Sequence, residues 1–384
     1  MSSKIVRVGI IGCGEIAQVV HIPVLGHLSH LFQITYLCDV SQSALAHCQS
    51  KVNGAQPQIT LDAEELCASP MVDVVFVINS DEYHAAHAIL ALQHNKHAFI
   101  EKPMALNERD ADALISAERA SVGRVMVGYM RRYAPAFVDA VKEIGGMDKI
   151  LYARVRGWSR NFSSNNVFAN ISRPDIIGPN STSVGQSGTF PFRATDFNEK
   201  DTQDKKTRAT DIVRQGLAEA GLEEFDDSMA MMWRVLGGLG SHDLSVMREA
   251  LGMPTGVIGA SLKMPFWSAI FQYPSFTVTY ESGIDSVPRF DAHLEVYSAE
   301  KTVRVQYDSP YVKGLPTTMH VVENVDGVFR ESTIRKTYED SYTLELKELH
   351  AMIVEGAPIR TTAQDAKEDL KIFRMLVKAA ERKP

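Results

Sequence analysis

The chain has 384 residues, of which 45% are hydrophobic and 23% charged, a composition typical of a well-packed globular protein with room for two domains. Its formal net charge is −7, and the mixture of acidic and basic residues suggests no clustered positive field. Nucleic acid and membrane surfaces are therefore not expected as partners, because both attract proteins through such a field. We expect the partner to be a small molecule.

The cysteine pattern and the N-terminus predict a cytoplasmic protein. Four cysteines lie in the N-terminal part of the chain without a CxxC spacing, which favours reduced thiols over a disulfide framework. The N-terminal residues lead straight into an apolar strand and lack the charged and long apolar regions of a secretory signal. No apolar run approaches the length of a membrane span.

Short apolar runs alternate with helical patterns over the first 128 residues. Helical patterns begin near Glu15, Ala44, His84 and Glu108. The apolar runs occupy 5–12, 34–40, 72–78, 97–102 and 124–129. This βαβ alternation predicts an α/β domain over 1–128 with a doubly wound parallel sheet of the Rossmann type.

After Tyr129 the pattern changes, because most of the strand-like runs follow one another without helices of βαβ spacing between them. These runs occupy 150–158, 276–282, 292–298, 302–308 and 318–338. They predict a second, α+β domain over 129–384, with a large, mainly antiparallel open sheet and a C-terminal helix over 363–381.

The segment 159–224 is polar, rich in Ser, Asn, Gly and Pro and then charged, and it is too long for an ordinary connection. We interpret it as an insertion that partly covers the substrate site and shapes substrate choice without touching the dinucleotide, with 208–220 helical. The alternative is a surface excursion that makes no contact with substrate.

A glycine-rich turn follows the first predicted strand. It reads Gly12-Cys13-Gly14-Glu15-Ile16-Ala17, a GxGxxA pattern. Gly12 permits the tight turn, Gly14 lets the backbone approach a pyrophosphate, and Ala17 allows close packing of helix on sheet. Glu15 and Ile16 open the helix, whose N-terminal N–H groups suit an anion. The motif alone is weak, but its position between strand and helix predicts a dinucleotide site.

Asp39 ends the second predicted strand, at the distance where an acidic residue bonds the adenosine ribose. A carboxylate there repels a 2′-phosphate, and 40–49 contains no Lys or Arg to neutralise one. The sequence therefore favours NAD over NADP as cofactor. The alternative for Asp39 is a helix cap or a turn residue.

The run Glu101-Lys102-Pro103 within 97–106, HAFIEKPMAL, carries a resemblance to a known family. Together with 79–84, 127–133 and the C-terminal pattern from Gly356, it resembles the Gfo/Idh/MocA oxidoreductases, which include glucose–fructose oxidoreductase and inositol dehydrogenase. The resemblance extends over nearly the whole chain except 159–224. It implies a Rossmann domain, an open sheet that supports the active site on one face, and a homo-oligomer, a dimer or tetramer.

The resemblance implies roles for individual residues in the first domain. It places Lys102 beside the nicotinamide as a catalytic residue, where an ammonium can hydrogen-bond the alcohol oxygen and help to move its proton. It gives Glu101 the task of orienting the lysine or the nicotinamide ribose, and it suggests a cis Lys102–Pro103 peptide. Asn79, Ser80 and His84 are expected to join the cofactor-binding residues.

His242 is the second catalytic candidate, since it resembles the histidine that a helix of the family carries toward the nicotinamide. Inositol-dehydrogenase-like members have an aspartate four residues earlier, where this chain has Gly238. Either His242 acts with Lys102 alone, or another acid, such as Asp243 or one from the insertion, takes the place of the missing aspartate.

Tyr129, Arg131 and Asp243 are the candidate substrate-binding residues. Asp226 and Asp227 are adjacent acids, but no His, Cys or carboxylate spacing supports a metal site, so no metal is expected.

The leading hypothesis is an NAD-dependent dehydrogenase acting on a sugar, polyol or related cyclic alcohol. Two alternatives remain at this point: a glycosidase that oxidises its substrate transiently with bound NAD, and a non-catalytic regulator that senses NAD or a sugar.

Overall fold

The computed structural model describes residues 4–160, 192–285, 290–312 and 314–381. They form two compact units. The first unit contains the chain up to Gly128, the described part of 165–219, and Glu345–Glu368. The second contains 129–160, 220–344 as far as described, and the chain from Asp369. Within the described part of the chain, none of the helices is both long and apolar enough to cross a membrane.

The N-terminal part of the first unit alternates strands and helices, as the sequence predicted. In chain order these elements are β1 (Val6–Ile11), a π-helical turn (Ala17–His21), α1 (Ile22–His27), β2 (Phe32–Cys38), α2 (Gln42–Lys51), β3 (Gln58–Thr60), α3 (Ala63–Ala68), β4 (Val74–Val77), a 3₁₀ turn (Asp81–Tyr83), α4 (His84–Gln93), β5 (His97–Glu101), α5 (Glu108–Ala120) and β6 (Val125–Gly128).

All six strands are parallel, in the order β3-β2-β1-β4-β5-β6. The chain order reverses between β1 and β4, which is the topological switch point of a doubly wound fold. Every residue of β4 is buried, because helices cover both faces of a sheet of this kind and apolar runs without alternation result. The predicted Rossmann-type sheet is confirmed.

Two later segments complete the first unit. Helix α7 (Glu199–Glu219) ends with a carboxylate that accepts hydrogen bonds from the backbone N–H groups of Glu108 and Arg109, at the start of α5. Thr361 O accepts from Val127 N of the edge strand β6 at 2.9 Å. The sequence had assigned both segments to the second domain. Their contacts with α5 and β6, which lie more than 100 positions earlier in the chain, place them in the first unit. The helix expected at 208–220 is part of α7.

The second unit contains helices and the remaining strands. They are a 3₁₀ turn (Met130–Tyr133), α6 (Pro135–Gly145), β7 (Tyr152–Arg160), α8 (Asp227–Val235), a π-helical turn (Leu236–Gly240), α9 (Ser241–Leu251), β8 (Gly256–Lys263), β9 (Phe266–Gln272), β10 (Thr277–Asp285), β11 (Asp291–Tyr297), β12 (Lys301–Tyr307), β13 (Thr318–Val325) and β14 (Val328–Ile334). Two further helices, α10 (Ser341–Glu355) and α11 (Ala363–Glu381), contribute residues to both units.

Eight strands form the sheet of the second unit, in the order β14-β13-β12-β11-β7-β10-β9-β8. Only the β7–β10 pair is parallel, so the predicted, mainly antiparallel sheet is confirmed. Burial alternates along β10, where Val278, Tyr280 and Ser282 are buried, as expected for a sheet with one covered face. Helices α6 and α9 pack against this sheet.

Gly157 in β7 lets the sheet approach α9 closely. A Cβ atom at this position would lie 1.9 Å from Oδ2 of Asp243, well inside van der Waals contact. Asp243 is itself buried and ion-paired with Arg131, so it has little freedom to move away. The absence of a side chain at position 157 is therefore a packing requirement of the second unit.

We expect Gly157→Ala to lower the free energy of unfolding by about 1–3 kcal/mol, the usual range for overpacking a core. Chemical denaturation measures this change. The matched control is Gly259→Ala in β8 of the same sheet, where a Cβ would meet no atom within 4 Å. Equal stability of the two variants would contradict the packing argument.

Candidate functional site

The glycine-rich turn brings the loops after β1 and β4 together. Gly12 has φ +109° and donates its N–H to Cys38 O at 2.8 Å. A Cβ at Gly12 would lie 2.6 Å from the backbone N and Cα of Asn79, so only glycine fits. At Gly14 the surroundings are the opposite, because a Cβ there would meet no atom within 4 Å. Open space therefore lies in front of Gly14, where a pyrophosphate would approach.

The helix that follows the turn begins irregularly. Glu15 and Ile16 lead into the π-helical turn, and Ala17 is completely buried, as close helix–sheet packing requires. Gln18 donates its backbone N–H to Gly14 O and its side-chain amide to Cys13 O. These two hydrogen bonds attach the glycine-rich turn to the helix that follows it.

Asp39 closes the turn from the end of β2. Its carboxylate accepts from Cys13 N at 2.7 Å and from Ser41 N at 2.9 Å. Burial raises the pKa of Asp39, and these two backbone hydrogen bonds oppose that effect. A carboxylate has about four acceptor positions, so Asp39 retains capacity for ribose hydroxyls beside its two N–H donors. The turn-residue interpretation and the ribose-binding interpretation are thus compatible.

Asn79 and His84 lie at the start of the loop and helix after β4. His84 connects this loop to the one after β5, with ring nitrogens 3.1 Å from Asn79 O and 2.7 Å from Pro103 O. Ser80 precedes the 3₁₀ turn, and its carbonyl accepts from Tyr83 N. Oδ1 of Asn79 is buried and has no hydrogen-bond partner among the described residues. A bound dinucleotide would occupy the open space at Gly14 and could donate a hydrogen bond to this oxygen.

His87 orients the Asn79 side chain, a contact that the sequence analysis missed. Burial and the neighbouring His84 lower the pKa of His87 to about 4, so its ring is neutral at physiological pH. A neutral ring nitrogen can accept, and Nδ1 lies 2.9 Å from Nδ2 of Asn79. The amide nitrogen therefore points to His87, and the amide oxygen is left for another donor.

Glu101 is the last residue of β5 and Lys102 follows it, at the same edge of the sheet. Oε1 of the buried Glu101 lies 2.9 Å from Nε2 of the buried His21. Although burial opposes the charge, the hydrogen bond with His21 and the positive charge of Lys102 hold the pKa of Glu101 below its usual range. Lys102 is half-buried, and the Lys102–Pro103 peptide is cis, as the resemblance suggested. His21 was not identified from the sequence, because no local motif connects it to Glu101.

Glu345, also in the first unit, is a second buried carboxyl group. It lies close enough to Glu101 for the charge of Glu101 to affect the ionisation of Glu345. It is fully buried, and neither side-chain oxygen has a hydrogen-bond partner among the described residues. Burial, and secondarily the negative charge of Glu101, raise the pKa of Glu345 well above its ordinary value. Glu101 is therefore the ionised member of this pair and Glu345 the neutral one. The sequence analysis gave no signal for Glu345.

His242 lies in the first turn of α9, directly after the π-helical turn, and is half-buried. The helix runs continuously from α8 to α9, and π-helical turns of this kind often mark functional sites. The residues four and five positions earlier are Gly238 and Gly237, so neither helical register provides a carboxylate partner. Asp243, the proposed substitute, makes an ion pair elsewhere.

Asp243 pairs with Arg131 inside the second unit. Both side chains are buried, and burial raises the pKa of Asp243 although Arg131 opposes that effect. The Arg131 guanidinium also lies over the ring of Tyr307, 5.1 Å from its centroid. Tyr129, the third candidate for substrate binding, is buried and donates its hydroxyl to Asp369 at 2.6 Å. These contacts support positioning roles for the three residues, within the unit's interior.

No group of three or more His, Cys, Asp or Glu side chains in the described ranges is arranged to hold a metal ion. Asp226, one of the two adjacent acids that the sequence analysis considered, caps α8 by accepting from Met229 N at 2.8 Å. Its carboxylate therefore has a structural function as a helix cap.

The raised pKa of Glu345 predicts a pH-dependent stability. A carboxyl group whose pKa is higher in the folded than in the unfolded protein stabilises the fold below its unfolded pKa, and this contribution is lost as the pH rises toward the folded pKa. Glu345→Gln removes the ionisable group and keeps the shape. We expect the variant to exceed the wild type in Tm by about 2–4 °C near neutral pH, equivalent to about 1 kcal/mol.

Calorimetric scans between about pH 5 and about pH 8 test this prediction, because the advantage of Glu345→Gln should grow as the pH rises. Glu348→Gln, at an exposed position of the same helix, is the control and should show no such trend. A constant difference between variant and wild type across this range would contradict a raised pKa for Glu345.

Residues 6–129 match the model of the Gfo/Idh/MocA family, described as an oxidoreductase family with an NAD-binding Rossmann fold. Putative oxidoreductase YteT of Bacillus subtilis (strain 168) is 32% identical over 125 residues, which are 32% of this chain and 29% of YteT. Inositol 2-dehydrogenase of Paracoccus denitrificans (strain Pd 1222) is 30% identical over 154 residues, 39% of this chain and 45% of the relative. Each match thus covers less than half of the relative.

The likeness in fold extends over the whole chain. KijD10, a 3-ketoreductase from Actinomadura kijaniata with a crystal structure in complex with NADP and TDP-benzene, matches with a TM-score of 0.67 and 13% identity, covering 98% of both chains. An identity this low shows a shared fold and no more. The sequence match confirms, over residues 6–129, the resemblance to the Gfo/Idh/MocA oxidoreductases that the Glu-Lys-Pro run carries.

Proposed function

We propose that the protein is an NAD-dependent oxidoreductase that transfers hydride between a sugar, polyol or related cyclic alcohol and nicotinamide. The observation that carries the proposal is the arrangement after β5, where half-buried Lys102 follows an ionised, buried Glu101 at the same sheet edge as the glycine-rich turn. Inositol 2-dehydrogenase among the sequence relatives supports the substrate class.

NAD is proposed as the cofactor because of Asp39. A carboxylate at the end of β2 suits the two ribose hydroxyls of NAD and repels the additional phosphate of NADP. KijD10 was solved with NADP, so the fold accommodates either cofactor, and the local charge decides between them. Gly12, Gly14 and the residues up to Ala17 would hold the pyrophosphate, with Asn79, Ser80 and His84 beside them. NAD, when bound, supplies the hydride acceptor.

In the oxidation direction, a neutral Lys102 amine would accept the hydroxyl proton as the carbonyl forms and so become an ammonium; in the reverse direction this ammonium would hydrogen-bond the carbonyl oxygen and return the proton. The ionised Glu101 accepts a hydrogen bond from the backbone N–H of Lys102 at 3.2 Å, and the charges of the two side chains interact favourably. Its hydrogen bond with His21 keeps the carboxylate in one orientation. Glu101 and His21 are therefore positioning residues, which act on the reaction through Lys102. The neutral Glu345 adds no second negative charge.

His242 is proposed as a second catalytic residue that assists in proton transfer. Because Gly237 and Gly238 provide no carboxylate to raise the basicity of its ring, we assign it the smaller share of the effect. Assembly into a dimer or tetramer and a cytoplasmic location stay predictions.

The test of function is a screen of the purified protein with NAD and a panel of monosaccharides, inositols, anhydrosugars and glycosides, in which NADH formation is followed by absorbance. On the best substrate, we expect Lys102→Ala to reduce kcat by about a hundredfold or more, and His242→Ala to reduce it less. The double variant should lose little more than Lys102→Ala, because residues that act on one proton transfer are not additive.

All three variants should still bind NAD, and Lys51→Ala, at an exposed lysine of α2, should turn over normally. Near-normal turnover of Lys102→Ala would contradict the catalytic role, and losses that multiply in the double variant would contradict a shared proton-transfer step. No NADH formation with any member of the panel would contradict the proposed substrate class.

A further inference from the structure

Residues 192–219, which we name the strap, lie along the carboxyl edge of the sheet in the first unit. At one end, Phe192 donates its N–H to Oε1 of Gln18 at 2.7 Å, and its ring stacks on His47 with centroids 4.8 Å apart. Farther along, Tyr83 donates its hydroxyl to Asp204 at 2.7 Å, and at the other end Glu219 accepts from the N–H groups that open α5. The strap thus extends from α2, past the loop after β4, to the start of α5. From the sequence, this insertion was expected to shape substrate choice without touching the dinucleotide.

Asp196 of the strap is bound at the start of α2. Its carboxylate accepts from the hydroxyl of Ser41 at 2.5 Å, from the hydroxyl of Ser43 at 2.6 Å and from Ser43 N at 3.0 Å. Two hydroxyl donors and one backbone N–H at the first turn of a ten-residue helix form a position suited to an anion. In this chain the anion is a side chain of the protein itself.

The bound carboxylate is next to the ribose-binding acid. Ser41 donates its backbone N–H to Asp39 and its hydroxyl to Asp196, so the two carboxylates bind the same residue. The negative charge of Asp196 adds to burial in raising the pKa of Asp39, and the charge of Lys205 opposes it. The hydrogen bonds from Ser41 and Ser43 lower the pKa of Asp196, so it is ionised at neutral pH.

This position is also where the 2′ substituent of the adenosine ribose would extend. The acid at the end of the second strand bonds the ribose 2′-hydroxyl in folds of this kind, and a 2′-phosphate would therefore point toward the residues that follow it. Those residues are Ser41 and Ser43, whose donors would otherwise suit a phosphate. Asp196 uses the same donors and adds a negative charge.

We propose that Asp196 is a second determinant of NAD selectivity, which excludes the 2′-phosphate of NADP by filling its position at the start of α2. The inference rests on the proposed cofactor site and extends it to a residue 157 positions beyond Asp39 in the chain. A different role, in which Asp196 only fastens the strap, makes a different prediction, because a looser strap would affect NAD and NADP equally.

The test uses adenosine 5′-monophosphate and adenosine 2′,5′-bisphosphate, which differ only in the 2′-phosphate and need no hydride transfer for detection. Their dissociation constants are measured by calorimetry on the full chain. In the wild type we expect tighter binding of the monophosphate. In Asp196→Asn, which keeps the size of the side chain and removes its charge, we expect the ratio of the two constants to shift toward the bisphosphate by about tenfold.

Asp211→Asn is the matched control, since it removes the same charge from an exposed position of α7 and should leave the ratio unchanged. Rising salt should narrow the wild-type difference, because the repulsion is electrostatic. An unchanged ratio in Asp196→Asn, or equal weakening of both nucleotides, would overturn the proposal and leave the NAD site intact. Failure of the wild type to bind either nucleotide would overturn the cofactor site itself, and the role of Asp196 with it.

Discussion

The close approach of Gly12 to Asn79 is the contact on which the carboxyl edge of the six-stranded sheet depends, where the glycine-rich turn lies. The strands that carry these residues, β1 and β4, are neighbours in the centre of the sheet, at the point where the chain order reverses. At such a switch point the two loops run to opposite faces of the sheet, and a crevice opens between them. Because Gly12 has no side chain, the backbone of Asn79 comes close enough to hold the turn, while Gly14 stays open. The same contact fixes the loop of Asn79, whose side-chain Oδ1 has no hydrogen-bond partner in the described part of the chain.

The buried carboxyl groups show how charge is distributed in the molecule. Asp39 is stabilised by backbone N–H donors and Asp243 by Arg131, whereas Glu345 has neither and is neutral. Since a buried carboxylate requires donors or a counter-charge, the group without them takes up the proton. The proton on Glu345 has a consequence for its neighbour Glu101. Of these two carboxyl groups, Glu101 is then the one that carries a negative charge, and the positive charge of Lys102 balances it.

Local patterns predicted the fold and the cofactor turn, but contacts between distant segments were beyond them. The alternation of apolar runs and helices was sufficient for the parallel sheet, because strands buried on both faces are apolar throughout. Gly12 and Asp39 could be predicted because the motif and its spacing lie in one βαβ unit, and Lys102 through the family resemblance. His21 and Asp196 could not, since their partners lie 80 and more than 150 positions away. Single polar residues at such separations leave no periodic signal.

The unit that holds the cofactor edge is assembled from three separate stretches of chain, and this limits what the family match describes. The match ends at residue 129, yet the edge strand β6 donates Val127 N to Thr361, and the start of α5 donates two N–H groups to Glu219. Asn107 caps α5 by accepting from Asp110 N, but without the later segments the N–H groups of Val127, Glu108 and Arg109 would lose these acceptors. Residues 6–129 therefore contain the glycine-rich motif, but some hydrogen-bond acceptors for the backbone of this region lie later in the chain. The later segments belong to the same compact unit as the motif, and under the proposal for Asp196 they also affect cofactor choice.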